Sequence, residues 1–109
     1  MKEESLSLAR TLAECIHVCN FCFNSCLEEE DVKMMKECIK LDKECAEICA
    51  ATLATVYPGN HMTNEMLELC RKACEACAGE CSKHSNEHCQ TCAKVCRACA
   101  RACEEFKQA

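Results

Sequence analysis

The 109-residue chain has little of what marks turns, membrane spans and nucleic-acid surfaces. Two glycines and one proline leave few positions for tight turns, which disfavours a small, loop-rich disulfide scaffold. No stretch approaches the ~20 apolar residues of a membrane span, so we expect no membrane partner. The chain has a formal charge of −5, few aromatic residues and no tryptophan. A nucleic-acid partner is therefore disfavoured, because surfaces that bind nucleic acid need clustered Lys and Arg or aromatic side chains on which bases stack.

The first residues of the chain also lack the pattern of a secretory leader. Residues 1–19 show no basic region followed by an apolar run and a small-residue cleavage site. We therefore expect a cytosolic protein, in a compartment where thiols stay reduced. The length predicts one domain, 1–109, with a core of its own.

Cysteine is the residue that the chain has in excess, at sixteen of 109 positions. Most of the cysteines follow an alternating spacing of three and four residues, as in the C-x3-C-x2-C-x3-C pattern that ends at Cys26 and recurs up to Cys81. At about 100° per residue, this spacing places the sulfurs on one narrow face of a helix. Such a stripe is typical of the inward face of a helical bundle. The sixteen are Cys15, Cys19, Cys22, Cys26, Cys38, Cys45, Cys49, Cys70, Cys74, Cys77, Cys81, Cys89, Cys92, Cys96, Cys99 and Cys103.

Breaks in this pattern predict four helices, near residues 4–28, 31–56, 62–83 and 86–107. The breaks are the acidic run 28–31, the Pro/Gly turn 57–60 and the polar run 82–86. Short connections make neighbouring helices antiparallel. The predicted fold class is therefore all-α, an antiparallel up-down-up-down four-helix bundle with a cysteine-lined core.

The antiparallel order gives the two ends of the predicted bundle different side chains. The apolar end collects Leu8, Leu12, Val56, Leu67 and Phe106. The other end, here called the mouth, collects Cys26, Met35, Cys38, Cys81, His84 and Cys89, with Met34 and His88 just off the cysteine face. Thiol, imidazole and thioether side chains bind metal ions, so we expect metal ions to enter the bundle through the mouth.

A column of thiolates binds soft metals, which are Cu(I), zinc and iron–sulfur clusters. Cu(I) accepts two or three thiolates, and pairs at i and i+4 on one helix can supply them. The zinc knuckle and the ferredoxin run C-x2-C-x2-C-x3-C-P have no counterpart in this sequence. Because buried thiolates need counter-ions, we expect a capacity on the order of one Cu(I) per cysteine. Without metal, protonated thiols pack as small apolar groups, so the bundle should fold before it is loaded.

Four further residues are candidate ligands, each with a plainer alternative. Asp42, on the cysteine face of the second helix, is an oxygen ligand, a hydrogen-bond acceptor for thiols, or a solvated aspartate. His84 and His88 are either Cu(I) ligands or parts of a solvated helix end. Met35 is either a thioether ligand or an ordinary core residue.

Other features lie outside the cysteine face. The acidic run 28–31 is expected to form a solvated corner, and His17 and His61 are expected to have no role in metal binding. Phe21 points away from the cysteines, and an exposed aromatic side chain there is a candidate contact between copies of the chain.

The pattern resembles the bacterial copper storage proteins, and most of all their cytosolic branch. The resemblance covers essentially the whole chain. It rests on the C-x3-C-x2-C-x3-C helices, the C-I-x-L-D-x-E-C-A-x-I-C segment at 38–49 and the H-x3-H-C-x2-C-A-x-x-C run at 84–96. It implies a four-helix bundle filled with Cu(I)–thiolate sites, with all sixteen cysteines as ligands, and a homotetramer.

Two other interpretations stay open at this point. The chain can be a store for another thiophilic metal, such as zinc or cadmium. A thiol-redox enzyme would need a cysteine in an activating environment, and Cys89, near a predicted helix start, is the candidate. We expect a non-enzymatic Cu(I) store, for which a copper chaperone as donor or acceptor is a further, unidentified partner.

Overall fold

A computed structural model describes residues 2–57 and 59–106, and these residues form four α-helices. The helices are α1 (Glu3–Leu27), α2 (Lys36–Leu53), α3 (Thr63–Cys81) and α4 (Glu87–Glu105). A 3₁₀ turn, Val32–Met35, precedes α2. Pro58 of the predicted turn and Lys107, the predicted end of the fourth helix, lie outside the described residues.

Each helix packs against the next one along the chain, and α1 closes the ring by packing against α4. The bundle is long and narrow, with extents of 47 × 20 × 18 Å. Within the described residues, no helix carries an apolar stretch long enough to cross a membrane. The predicted four-helix bundle with a cysteine-lined core is confirmed.

The second α-helix is shorter than the predicted 31–56. Its first turn is 3₁₀, and the backbone N–H of Met34 there donates to Asp31 Oδ1 at 3.4 Å. Its last residues leave the α-helical pattern, since Thr55 N–H bonds to the carbonyl of Thr52, three residues back, at 2.9 Å. Terminal turns of helices often tighten in this way because their backbone groups lack partners further along the helix.

The connection between α2 and α3 is fixed by a buried threonine. Thr63, the first residue of α3, has no exposed surface, and its hydroxyl donates to the carbonyl of Thr55 at 3.0 Å. The same hydroxyl accepts the backbone N–H of Asn60 at 2.8 Å. Gly59 has a φ of 96°, a left-handed conformation that favours glycine in this turn. These contacts close the apolar end, where Leu8, Leu12, Val56 and Leu67 are buried as predicted.

Candidate metal centre

All sixteen cysteines are free thiols inside the bundle. Cys103 is 4% exposed, and the other fifteen have no exposed surface. The alternating three-and-four spacing accounts for this, because it turns every cysteine of a helix toward the same interior. The sulfurs form a continuous column along the bundle, which we call the thiol column.

Neighbouring turns of one helix place sulfurs close together. Five i, i+4 pairs have Sγ–Sγ distances of 4.0 Å or less, which are Cys15–Cys19 at 4.0 Å, Cys22–Cys26 at 3.9 Å, Cys45–Cys49 at 3.9 Å, Cys77–Cys81 at 4.0 Å and Cys92–Cys96 at 3.8 Å. A metal–sulfur bond of about 2.3 Å puts two sulfurs on one ion about 3.8–4.6 Å apart, depending on the angle. These pairs therefore already have the spacing of two ligands that share an ion.

Sulfurs from different helices approach as closely. The shortest such contact joins Cys38 of α2 to Cys81 of α3, at 3.2 Å. Cys19 of α1 lies 3.6 Å from Cys96 of α4, and Cys45 of α2 lies 3.7 Å from Cys74 of α3. One ion can therefore take ligands from two helices without rearrangement of the backbone.

Sets of four thiols lie with all their sulfurs within 4.8 Å of one another. One set lies at the mouth, and the others continue through the thiol column. The sets are Cys22, Cys26, Cys38 and Cys89; Cys19, Cys77, Cys92 and Cys96; Cys15, Cys19, Cys45 and Cys96; and Cys15, Cys49, Cys74 and Cys99. Several cysteines belong to two sets, so the column is a chain of linked sites in which one thiolate can bridge two ions.

Asp42 is the carboxyl group of the thiol column. Its side chain has no exposed surface, which rules out the solvated alternative. It accepts hydrogen bonds from the thiols of Cys77 (3.2 Å), Cys92 (3.4 Å), Cys81 (3.5 Å) and Cys38 (3.7 Å). Burial, with the nearby Cys92, raises the pKa of Asp42 to about 8. The role of hydrogen-bond acceptor is thus observed, and that of oxygen ligand stays a prediction.

The two predicted mouth histidines differ in what they contact. His88 Nδ1 lies 3.3 Å from the sulfur of Cys22 and 3.6 Å from that of Cys89. The ring of His84 instead donates from Nε2 to Glu80 at 2.9 Å, and it forms no hydrogen bond with a sulfur of the described residues. The sequence register placed His84 on the cysteine face and His88 off it. The register is wrong for His84 because α3 ends at Cys81, after which residue 84 no longer follows the helical pattern. His88 flanks Cys89 as expected, and its ring reaches the thiols from that position.

The acidic corner differs from the prediction at one residue. Glu28 and Glu30 are exposed as expected, but the carboxylate of Glu29 accepts the Nε2–H of His88 at 2.8 Å. Sequence reasoning missed Glu29 because no local signal joins residues that are 59 positions apart. The expectation of a purely solvated corner is wrong for this residue.

The remaining candidates lie as follows. Met35 is buried at 4% exposure and packs in the core with the cysteines, whereas Met34 is 68% exposed. Phe21 is 59% exposed, as expected for a side chain opposite the thiol column. His17 and His61 are also exposed, and neither lies among the thiols.

Two thiols at the mouth, Cys26 and Cys89, are not activated as nucleophiles, whereas hydrogen bonds with Cys22 and Cys38 lower the pKa of the fully buried Cys81 to about 7. Burial raises the pKa of Cys26 and raises that of Cys89 to about 12. Reactive cysteines have lowered pKa values and partial exposure, and Cys89 has neither. Without metal, Cys26 and Cys89 therefore stay protonated at neutral pH.

Comparisons with known proteins agree with this geometry. Residues 1–108 match the sequence model of the copper storage protein family. The fold is similar to that of the Cu(I)-bound copper storage protein BsCsp3 from Bacillus subtilis, with a TM-score of 0.89 and 40% identity over 94% of this chain and 96% of that chain.

Two further proteins are similar over most of their length. The copper storage protein Ccsp from Streptomyces lividans, loaded with 10 copper equivalents, has a TM-score of 0.90 and 34% identity over 94% of this chain and 83% of that chain. The uncharacterized cysteine-rich protein YhjQ of Bacillus subtilis (strain 168) is 41% identical over 84 residues, which cover 77% of this chain and 78% of the relative.

Proposed function

Because the chain belongs to the copper storage protein family, we propose that it stores Cu(I) ions along its axis, bound by the thiolates of the bundle core. One observation carries this function: sixteen free, buried thiols form a continuous column in which sulfurs of different helices lie as close as 3.2 Å. Thiolates are soft ligands, and soft ligands favour Cu(I) and zinc over hard metal ions.

Charge favours Cu(I) over zinc in this core. A thiolate carries one negative charge, so one Cu(I) per cysteine leaves the buried column neutral. Four zinc ions, each with four thiolates, would bring eight positive charges to sixteen thiolates and leave half of the charge uncompensated. The linked sets of thiols also suit ions that share bridging thiolates better than separate tetrahedral sites. We therefore propose a capacity on the order of one Cu(I) per cysteine.

Loading exchanges protons for metal in a bundle that is already folded. Cys26 and Cys89 at the mouth are protonated at neutral pH, so each of these thiols must lose its proton when it binds copper. The apolar end is closed by packed leucine and valine side chains, which leaves the mouth as the route for copper. Uptake and release then both occur where Cys26, Cys38 and Cys89 meet His88.

We assign ligand roles beyond the cysteines by distance. His88 is the nitrogen donor of the mouth, because its Nδ1 already faces two thiols. Asp42 supplies an oxygen to the set that contains Cys22, Cys81 and Cys92. His84 has to turn away from Glu80 before it can bind an ion, and Met35 is adjacent to the mouth in the core.

A thiol-redox function is less well supported. The raised pKa of Cys89 removes the one cysteine that the sequence offered as a nucleophile. A single reactive thiol would also not explain why fifteen other cysteines line the core. We propose a store without catalytic turnover.

The cellular setting is also part of the proposal. We propose that the protein works in the cytoplasm as a homotetramer and exchanges copper with a chaperone. Ccsp of Streptomyces lividans is described as a cytosolic copper storage protein, which supports the compartment. Sedimentation of the metal-free and loaded protein tests the tetramer directly.

Anaerobic titration of the reduced protein with Cu(I), in competition with a chromogenic chelator, tests the storage function. We expect tight binding of well over ten equivalents per chain, since the thiol column supplies sixteen ligands. A parallel zinc titration is the control, and it should saturate at about four ions because each closed zinc site takes four ligands. Saturation with copper at one to four equivalents, with comparable zinc affinity, would replace storage by a discrete metal site.

A further inference from the structure

The imidazole of His88 is held from both sides at the mouth. Its Nδ1 faces the thiol column, 3.3 Å from Cys22 Sγ and 3.6 Å from Cys89 Sγ. Its Nε2 lies 2.8 Å from a carboxylate oxygen of Glu29, which follows the end of α1. The side chain is only 12% exposed, so the ring has little freedom to turn.

The contact with Glu29 determines which nitrogen can meet copper. A carboxylate accepts a hydrogen bond, so Nε2 carries the proton and Nδ1 presents its lone pair to the thiols. Histidines that bind metals commonly donate their other N–H to a carboxylate, which fixes the ring and makes it a better ligand. Glu29 makes this contact from the opposite hairpin of the bundle, across 59 positions of sequence.

The second mouth histidine provides an internal comparison. His84 is paired with Glu80 four residues earlier, so this contact is local to the end of α3. It does not direct the ring toward the thiol column, because no sulfur of the described residues bonds to it. A glutamate beside a histidine is therefore not sufficient to direct the ring toward the thiol column. The His88 ring faces the thiols because Glu29 contacts it from across the mouth.

The outer side of His88 is accessible to an incoming ion. An open groove between α1 and α4 is lined by Val18, Phe21 and His88. None of the described residues that line this groove is a cysteine, so the His88 ring lies between the groove and Cys22.

We propose that Glu29 is a positioning residue for copper uptake, which holds the His88 ring so that Nδ1 binds Cu(I) and passes it to Cys22 and Cys89. In this step the bond from copper to Nδ1 breaks, bonds from copper to the two sulfurs form, and the thiol protons leave to solvent. This inference rests on the proposed storage function. Glu29 acts on the rate at which ions pass the mouth and not on how many the thiol column holds, because its carboxylate contacts His88 and not the thiols.

The test compares Glu29→Ala with Glu28→Ala in stopped-flow uptake of Cu(I) from a coloured Cu(I)–chelator complex. Both variants remove one negative charge from the same corner, and Glu28 is exposed. We expect Glu29→Ala to slow the first phase of uptake by about tenfold or more, in the range of supporting residues of metal ligands. Glu28→Ala should match the wild type, and Glu29→Gln, which keeps an acceptor oxygen, should lie between.

Two further measurements separate positioning from a general structural effect. In a His88→Ala background, Glu29→Ala should have no additional effect on the rate, because its action passes through the ring. The ¹⁵N resonances of His88 should show an unprotonated Nδ1 in the wild type and an averaged signal in Glu29→Ala. Circular dichroism of the metal-free variants checks that the bundle is intact.

The outcomes distinguish this inference from the storage function. Equal rates for Glu29→Ala and Glu28→Ala, or an undiminished effect of Glu29→Ala without His88, would overturn the positioning role while the wild type still binds many equivalents. A wild type that binds only a few equivalents would overturn storage and, with it, the inference.

Discussion

Asp42 places a carboxyl group in the core of the metal-free protein, where it is largely uncharged. A buried carboxylate is costly unless it is hydrogen-bonded, and Asp42 accepts from four surrounding thiols. Burial still raises its pKa to about 8, so the group is largely protonated at neutral pH. Of the thiols around it, Cys38 and Cys77 have raised pKa values and stay protonated without metal, and copper binding replaces those protons.

This raised pKa predicts that the metal-free protein loses stability as the pH rises. The folded pKa of Asp42, about 8, lies above its ordinary value of 3.8. The stabilisation is therefore complete below about pH 4 and is lost progressively up to pH 8, because unfolding releases a proton over this range. Each unit of pKa difference corresponds to about 1.4 kcal/mol, so the loss is on the order of a few kcal/mol.

Urea unfolding of the reduced, metal-free protein at pH 5 and pH 8 measures this loss. Asp42→Asn keeps the volume of the side chain and removes its titration, so the difference between the two pH values should shrink. Asp31→Asn, at an exposed position, should leave the difference unchanged. A pH dependence of Asp42→Asn equal to that of the wild type would contradict the assigned pKa.

At the scale of helices, small residues beside the cysteines let the thiols meet. Ala46, Ala78, Ala93 and Ala100 are at most 5% exposed and occupy the flanks of the cysteine face. An alanine flank leaves room for a neighbouring helix to approach closely, and the sulfur–sulfur distances between helices follow from that approach. The helix spacing is thus set by the residues next to the cysteines as well as by the cysteines.

Enlarging one of these flanks should destabilise the bundle. Ala93 of α4 is 1% exposed, and leucine there must push a neighbouring helix away. We expect Ala93→Leu to lower the free energy of unfolding by about 1–3 kcal/mol, the range for overpacked cores. Ala50→Leu, on the exposed side of α2, is the matched control. Urea denaturation followed by circular dichroism measures both, and equal stability of the two variants would contradict close helix packing at Ala93.

The sequence predicts the elements well and their ends less well. The spacing of the cysteines fixes the inward face of each helix, because a helical period leaves no other arrangement for residues three and four apart. Where a helix stops depends on backbone groups that compete for partners, which is why α2 is shorter than expected and His84 leaves the register. The contact of Glu29 with His88 depends on how two hairpins meet, and no local pattern encodes it.

For the whole molecule, the two ends of the bundle have different tasks. Packed leucine and valine side chains close the apolar end and stabilise the fold without metal. The mouth carries the His88 imidazole beside an open groove, with thiols behind it, and we propose that ions are exchanged there. Between the ends, neighbouring sets share thiols, and we propose that an ion moves inward by exchange of one thiolate at a time.

We propose that the core fills with Cu(I) by the replacement of thiol protons, one proton for each ion. Native mass spectrometry of the anaerobically loaded protein tests it most directly, because the mass of each species counts both the copper ions and the protons lost. We expect well over ten copper ions per chain, each with the loss of one proton. Saturation at four ions or fewer, or bound copper without matching proton loss, would contradict a neutral Cu(I)–thiolate core.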